Sequence, residues 1–169
     1  PVDKITNALP EVFTKLAADN WFAAAHAIMT TDTIAKARSV ELSLNGQPIT
    51  LTGIAKGSGM IRPDMATLLS YIATDAAISA STLQKMLDVS MEQSFNSITV
   101  DGDTSTNDAC ILIATGKAGN SVIEDIDSPD AHQFIEALNN LSRFLAQAIV
   151  RDGEGATKFI SIDVQQGAN

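Results

Sequence analysis

Asn45-Gly46 constrains the architecture of this chain more than any other pair of residues. It lies between SVELSL (residues 39–44), which alternates apolar and polar, and a second strand-like run from Ile49 to Ala55. Asn and Gly both tolerate positive φ, as a two-residue type I′ turn requires, and that turn matches the twist of antiparallel strands. An antiparallel pair with one buried face is therefore expected near residues 39–55.

Helices surround this pair. Ile5, Leu9, Val12, Phe13 and Leu16 recur at helical spacing and predict a helix over 4–18, with Asp3 as N-cap and Pro10 as an internal conflict. A second helix is expected over 20–29, and a third over 81–95 with Leu83, Met86, Leu87, Met91 and Phe95 inward. The longest spans 129–150. Ser128 caps it, Pro129 occupies N1, and Phe134, Leu138, Leu141, Leu145 and Ile149 form its apolar face. Further strands are expected at 68–73, 97–100, 109–115 and 158–164. Helices and strands in mixed runs imply a single α+β domain, a layered antiparallel sheet with packed helices.

Charge narrows the function classes. Residues 1–66 carry six acids and six bases, so the whole net charge of −9 falls from residue 67 onward. An acidic surface repels phosphates, which argues against nucleic acid as a partner. No apolar run approaches the ~20 residues of a membrane span, and the N-terminal residues do not read as a signal peptide. Cys110, the single cysteine, permits no internal disulfide and lies in an apolar run. It reads as a small core residue of a protein from a reducing, cytoplasmic compartment.

The general motifs are weak. Asp101, Asp103 and Ser105 have calcium-loop spacing, but Thr106 stands where such a loop needs Gly, and Leu112 where it needs a bidentate Glu. DGDTSTND therefore reads as a hydrogen-bonded loop, and no metal is expected. KGSG is not a phosphate-binding loop, since its lysine precedes its glycines. His26 and His132 form no constellation. Taken alone, Lys56 is a solvated lysine at a strand end, Glu154 part of a surface turn, Thr33 a helix-end cap and Thr67 a strand start.

Four ordered blocks change that reading: AIMTTDT (27–33), GIAKGSGMIRPDMATLLSYIATDA (53–76), SFNSITVDGDTSTNDACILIATG (94–116) and VRDGEGATKFISI (150–162). Together they resemble the ornithine acetyltransferase family, the glutamate N-acetyltransferases of arginine biosynthesis. The resemblance implies an N-terminal-nucleophile-like fold of the DmpA and ornithine acetyltransferase kind. It also implies self-cleavage between Ala66 and Thr67, giving an α part of 1–66 and a β part of 67–169. Thr67 would then be the catalytic nucleophile. Its freed α-amine has a reference pKa of ~7.7–8.0 and serves as the general base.

Carried over by position, Thr33, Lys56, Thr67 and Glu154 are the implied substrate-binding residues. The implied reaction moves acetyl from N-acetylornithine to glutamate through an acetyl-Thr67 ester. It needs no metal or organic cofactor, and acetyl-CoA is an alternative donor in some relatives. The cleaved chains of the family stay together, commonly as a heterotetramer. Arg62 and Asp64 depart from the Ala and Asn often found in relatives. The family is longer at both ends, so the chain is expected to match its middle, with an oxyanion-hole Thr-Gly pair falling ahead of Pro1. Two other readings stay open: an N-terminal-nucleophile aminopeptidase or amidohydrolase, and an inactive structural fragment.

Overall fold

The computed structural model describes residues 2–63, 68–105 and 107–166. Its elements in chain order are α1 (Val2–Thr14), α2 (Trp21–Ala27), β1 (Lys36–Leu44), β2 (Gln47–Lys56), β3 (Leu69–Thr74), α3 (Ala80–Glu92), β4 (Ala109–Ala114) and α4 (Pro129–Arg151). A short 3-10 turn at Phe95–Ser97 follows α3.

The hairpin forms as expected. Asn45 and Gly46 have φ of 50° and 82°, and Leu44 pairs with Gln47 across the turn. The strands lie in the order β1-β2-β3-β4. The first three are antiparallel, whereas β3 and β4 are parallel, so the expected antiparallel sheet is mixed at its last pair. The crossover between β3 and β4 carries α3. A parallel pair needs such a connection, because a tight turn can only reverse the chain.

The core lies between the sheet and α4. Phe134, Leu138, Leu141, Leu145 and Ile149 are all fully buried, as the helical spacing predicts, with Ile49, Leu51 and Ile72 of the sheet in the same cluster. Gly53 lets α4 come close: a Cβ there would lie 2.8 Å from Leu141 Cδ2. The Ser128 hydroxyl caps α4 by accepting the Ala131 N–H, and Pro129 occupies its first turn. Met86 and Phe95 are buried beside this core, while Leu83, Leu87 and Met91 are half-buried.

Two strand expectations fail. Residues 97–100 form no strand. Phe95–Ser97 coils into the 3-10 turn instead, and Val100 N–H donates only to the Ile61 carbonyl. Residues 158–164 form no strand either, and Ile160, Ile162 and Val164 are exposed. Alternation reports which side of a chain is apolar, but a strand also needs a neighbour for its backbone groups. The expected first helix forms as α1, running through Pro10 and ending at Thr14, four residues before the expected end, and none of its residues is buried. Its apolar stripe of Ile5, Leu9, Val12 and Phe13 faces outward. Among the described residues, no helix is long and apolar enough to cross a membrane.

Candidate active site

Lys56 is the last residue of β2 and pairs with Leu69, the first residue of β3. Beyond it the chain turns through Gly57, Ser58, Gly59 and Met60, with Met60 at φ 53°. A non-glycine residue in the left-handed region needs support, and Asp101 supplies it. Its carboxylate accepts the N–H groups of Met60 at 2.7 Å, Ile61 at 3.1 Å and Asp103 at 3.1 Å. Burial raises the Asp101 pKa, but these backbone bonds outweigh it and hold the carboxyl below the ordinary range. The segment with calcium-loop spacing is thus a hydrogen-bonded loop that braces the end of β2. Among the described residues, no group of three His, Cys, Asp or Glu is placed to hold a metal.

Around this turn lies a cavity of about 310 Å³. Thr30 and Thr31 line it from the loop after α2, Lys56 to Met60 from β2 and its turn, Asp101 from its loop, and Glu154 from the segment after α4. Glu154 is fixed by its own N–H, which donates to the Ser58 carbonyl at 2.7 Å. Gly59 gives Glu154 room: a Cβ there would lie 3.2 Å from Glu154 Oε2 and 3.4 Å from Asp101 Oδ2. One wall therefore offers a cation and another an anion, and two threonines also line the cavity. That polarity suits a small molecule carrying both a carboxylate and an ammonium group.

The structure brings Lys56 and Glu154 together from positions 98 residues apart. Thr33 is placed differently. It is absent from the cavity lining, and both its N–H (3.0 Å) and its hydroxyl donate to the Asp152 carboxylate. Ala66 and Thr67 lie outside the described residues. Their neighbour Leu68 is buried; its N–H donates to Asp108 Oδ1 at 3.2 Å and its carbonyl accepts the Ala109 N–H at 3.2 Å. Cys110 lies on β4, where burial pushes its thiol up to about 11, as suits a packing residue rather than a nucleophile. His26 is exposed on α2, with Nδ1 2.9 Å from the Phe22 carbonyl.

Beneath the cavity is a buried ionic cluster that sequence reasoning missed. Lys36 Nζ lies 2.7 Å from Asp32 Oδ1 and 2.6 Å from Asp152 Oδ2, and all three side chains are at most 5% exposed. Asp32 also accepts the N–H groups of Gly57 (2.8 Å) and Thr30 (3.3 Å). The Asp32–Lys36 spacing of four residues is visible in the sequence, but nothing local points to Asp152, more than a hundred residues on. Burial raises the pKa of both carboxyls. The Lys36 hydrogen bond and charge, with Gly57 and Thr30 for Asp32 and Thr33 for Asp152, more than reverse this and depress both.

A depressed carboxylate contributes stability that is fully present above its unfolded pKa of ~3.9 and is lost as pH falls through the folded value. Thermal melts are therefore expected to give a nearly constant Tm from pH 7 to about 5 and a falling one below pH 4. A Tm that climbs on acidification would contradict the cluster.

The ArgJ family model matches residues 1–169. The chain is 53% identical to the "Arginine biosynthesis bifunctional protein ArgJ" of Psychrobacter arcticus, covering 98% of this chain and 40% of that one. It is 51% identical to the protein of the same name from Pseudomonas syringae pv. tomato, covering 100% of this chain and 42% of that one. The crystal structure of the arginine biosynthesis bifunctional protein argJ from Bacillus halodurans aligns with a TM-score of 0.47 and 46% identity, over 50% of this chain and 39% of that one. The chain thus spans about two fifths of the length of the curated relatives it matches.

Proposed function

The chain belongs to the ArgJ family, and from that premise we propose that it carries the nucleophile and part of the substrate pocket of an acetyltransferase of arginine biosynthesis. Thr67 takes acetyl from N-acetylornithine as an ester, ornithine leaves, and glutamate accepts the acetyl group. The observation that carries this reading is the cavity with Lys56 on one wall and Glu154 on another. Both substrates are amino acids, with a carboxylate for Lys56. Ornithine adds an ammonium group for Glu154. Among the described residues, the threonines that line the cavity are Thr30 and Thr31, and Thr33, held by Asp152, stays among the proposed substrate contacts with Lys56, Thr67 and Glu154.

The fold supports the proposed division at Ala66–Thr67. Six register pairs join β2, before that bond, to β3, after it. The α4 core residues after it share one cluster with Ile49 and Leu51 before it. Cleavage would leave this sheet and core holding both parts, in keeping with an assembly that pairs them into a heterotetramer in the N-terminal-nucleophile manner. The cytoplasm is the compartment that suits such a biosynthetic enzyme. The chemistry asks for no metal or organic cofactor, because hydroxyl and general base reside on one residue.

Titration calorimetry with ornithine tests the pocket. Lys56→Ala and Glu154→Gln are each expected to weaken binding by roughly 10- to 100-fold, as loss of a charge-assisted hydrogen bond does. Both variants should keep the parent Tm within a few degrees. Unchanged affinity in both would place the substrate elsewhere.

A further inference from the structure

Four distant segments of the chain line the cavity, the Asp101 loop among them, and one buried side chain ties the other three together. The first wall is formed by Thr30 and Thr31, next to Asp32 in the chain, the second by Lys56–Met60, and the third by Glu154, two residues after Asp152. Lys36 Nζ bonds Asp32 beside the first at 2.7 Å and Asp152 ahead of the third at 2.6 Å. Asp32 Oδ1 in turn accepts the Gly57 N–H of the second wall at 2.8 Å. Ser58 Oγ donates to the Asp152 carbonyl at 2.8 Å, and the Ser58 carbonyl accepts the Glu154 N–H at 2.7 Å. The contacts close into a ring through all three segments.

We propose that Lys36, clamped between Asp32 and Asp152, is a positioning residue that sets the spacing of the cavity walls and so holds Lys56 and Glu154 at the separation a substrate requires. Lys36 is not part of the cavity lining and acts through its neighbours. Its ammonium is shared by two carboxylates, which like charge would drive apart without it. Asp32 carries Gly57, one residue from Lys56. Asp152 lies two residues from Glu154. Moving either carboxylate moves one of the two charged walls. Substrate affinity is sensitive to such shifts because a pre-organised site loses binding energy when its groups must be reordered. The proposal rests on the reading of this cavity as the substrate pocket, and its first test does not.

That test is amide hydrogen exchange by NMR on the full chain. Asp152→Asn keeps the shape of the side chain and removes its charge. It is expected to speed exchange of the Gly57 and Glu154 amides at least tenfold, while amides within α3 change by less than threefold. Wild-type protection at both would overturn the clamp, whatever the cavity binds.

The second test is ornithine affinity. Asp152→Asn should raise Kd at least tenfold. A Leu138→Ala core variant, compared at a temperature where both are fully folded, should leave Kd within threefold of wild type. Equal changes in the two would reduce the cluster to general stability and overturn the positioning role. If wild-type chain binds no ornithine, or Lys56→Ala and Glu154→Gln both bind it normally, the pocket reading fails instead, and the exchange result alone decides whether Lys36 ties the three segments.

Discussion

Replacing Lys36 with Met is expected to remove about 3–5 kcal/mol of stability, the cost of stripping one partner from a buried ion pair. Domains of this kind have only ~5–15 kcal/mol in total, so the variant should melt early or fail to fold. Two features set the scale. The Lys36 side chain is 2% exposed, so water cannot replace the lost ammonium. Its removal also leaves two carboxylates, Asp32 and Asp152, beside one another with no cation. Adding Asp152→Asn to Lys36→Met should recover part of the loss, because it halves the uncompensated charge.

The exposed pair Lys15–Glu11 gives the contrast. Its side chains are 68% and 71% exposed, and Lys15→Met should shift stability by well under 1 kcal/mol. Urea melts of the variants measure all of this. A Lys36→Met midpoint equal to that of Lys15→Met would mean that the cluster stabilises nothing.

Thr67→Ala is expected to abolish both cleavage of the Ala66–Thr67 bond and acetyl transfer. In the proposed mechanism one hydroxyl serves twice. It first attacks the Ala66 carbonyl, moving the acyl group from nitrogen to oxygen, and water cleaves the ester. It then takes the acetyl group, with the freed α-amine accepting its proton near neutral pH. Alanine has no such hydroxyl, and loss of a nucleophile costs on the order of 10⁴-fold in rate or more. Thr67→Ser should retain part of both steps. Intact mass under denaturing conditions reads the first step, as residues 1–66 and 67–169 separately or as one chain. Transfer of labelled acetyl to glutamate reads the second. Full activity in Thr67→Ala would end the mechanism. An unbroken wild-type chain would mean that Thr67 has no free amine with which to act.

The long elements were legible because each is a local statement. Asn45-Gly46 specifies its turn through the φ values those residues tolerate, and the pair takes the turn expected of it. The α4 stripe and its Ser128 cap follow from spacing along one helix, and all five stripe residues are buried. Local pattern misled where the outcome depended on a partner. The apolar stripe of α1 predicts a helix correctly but says nothing about what it packs on. Residues 158–164 alternate without a strand beside them. Lys56 and Glu154 emerged from family blocks, not from their own surroundings.

The sequence by itself determined the four helices, the hairpin, the apolar face of α4 and the family, because turn geometry, helical period and residue identity are written over short stretches. Tertiary structure alone decided that β4 runs parallel to β3, that Thr33 serves Asp152, and that Lys36 joins Asp32 to Asp152 under the cavity. The physical reason is desolvation. A lysine or aspartate in a sequence reads as a solvated charge. It becomes an obligatory partner only when folding removes its water, and which charge replaces that water is settled by the chain path, here across more than a hundred residues.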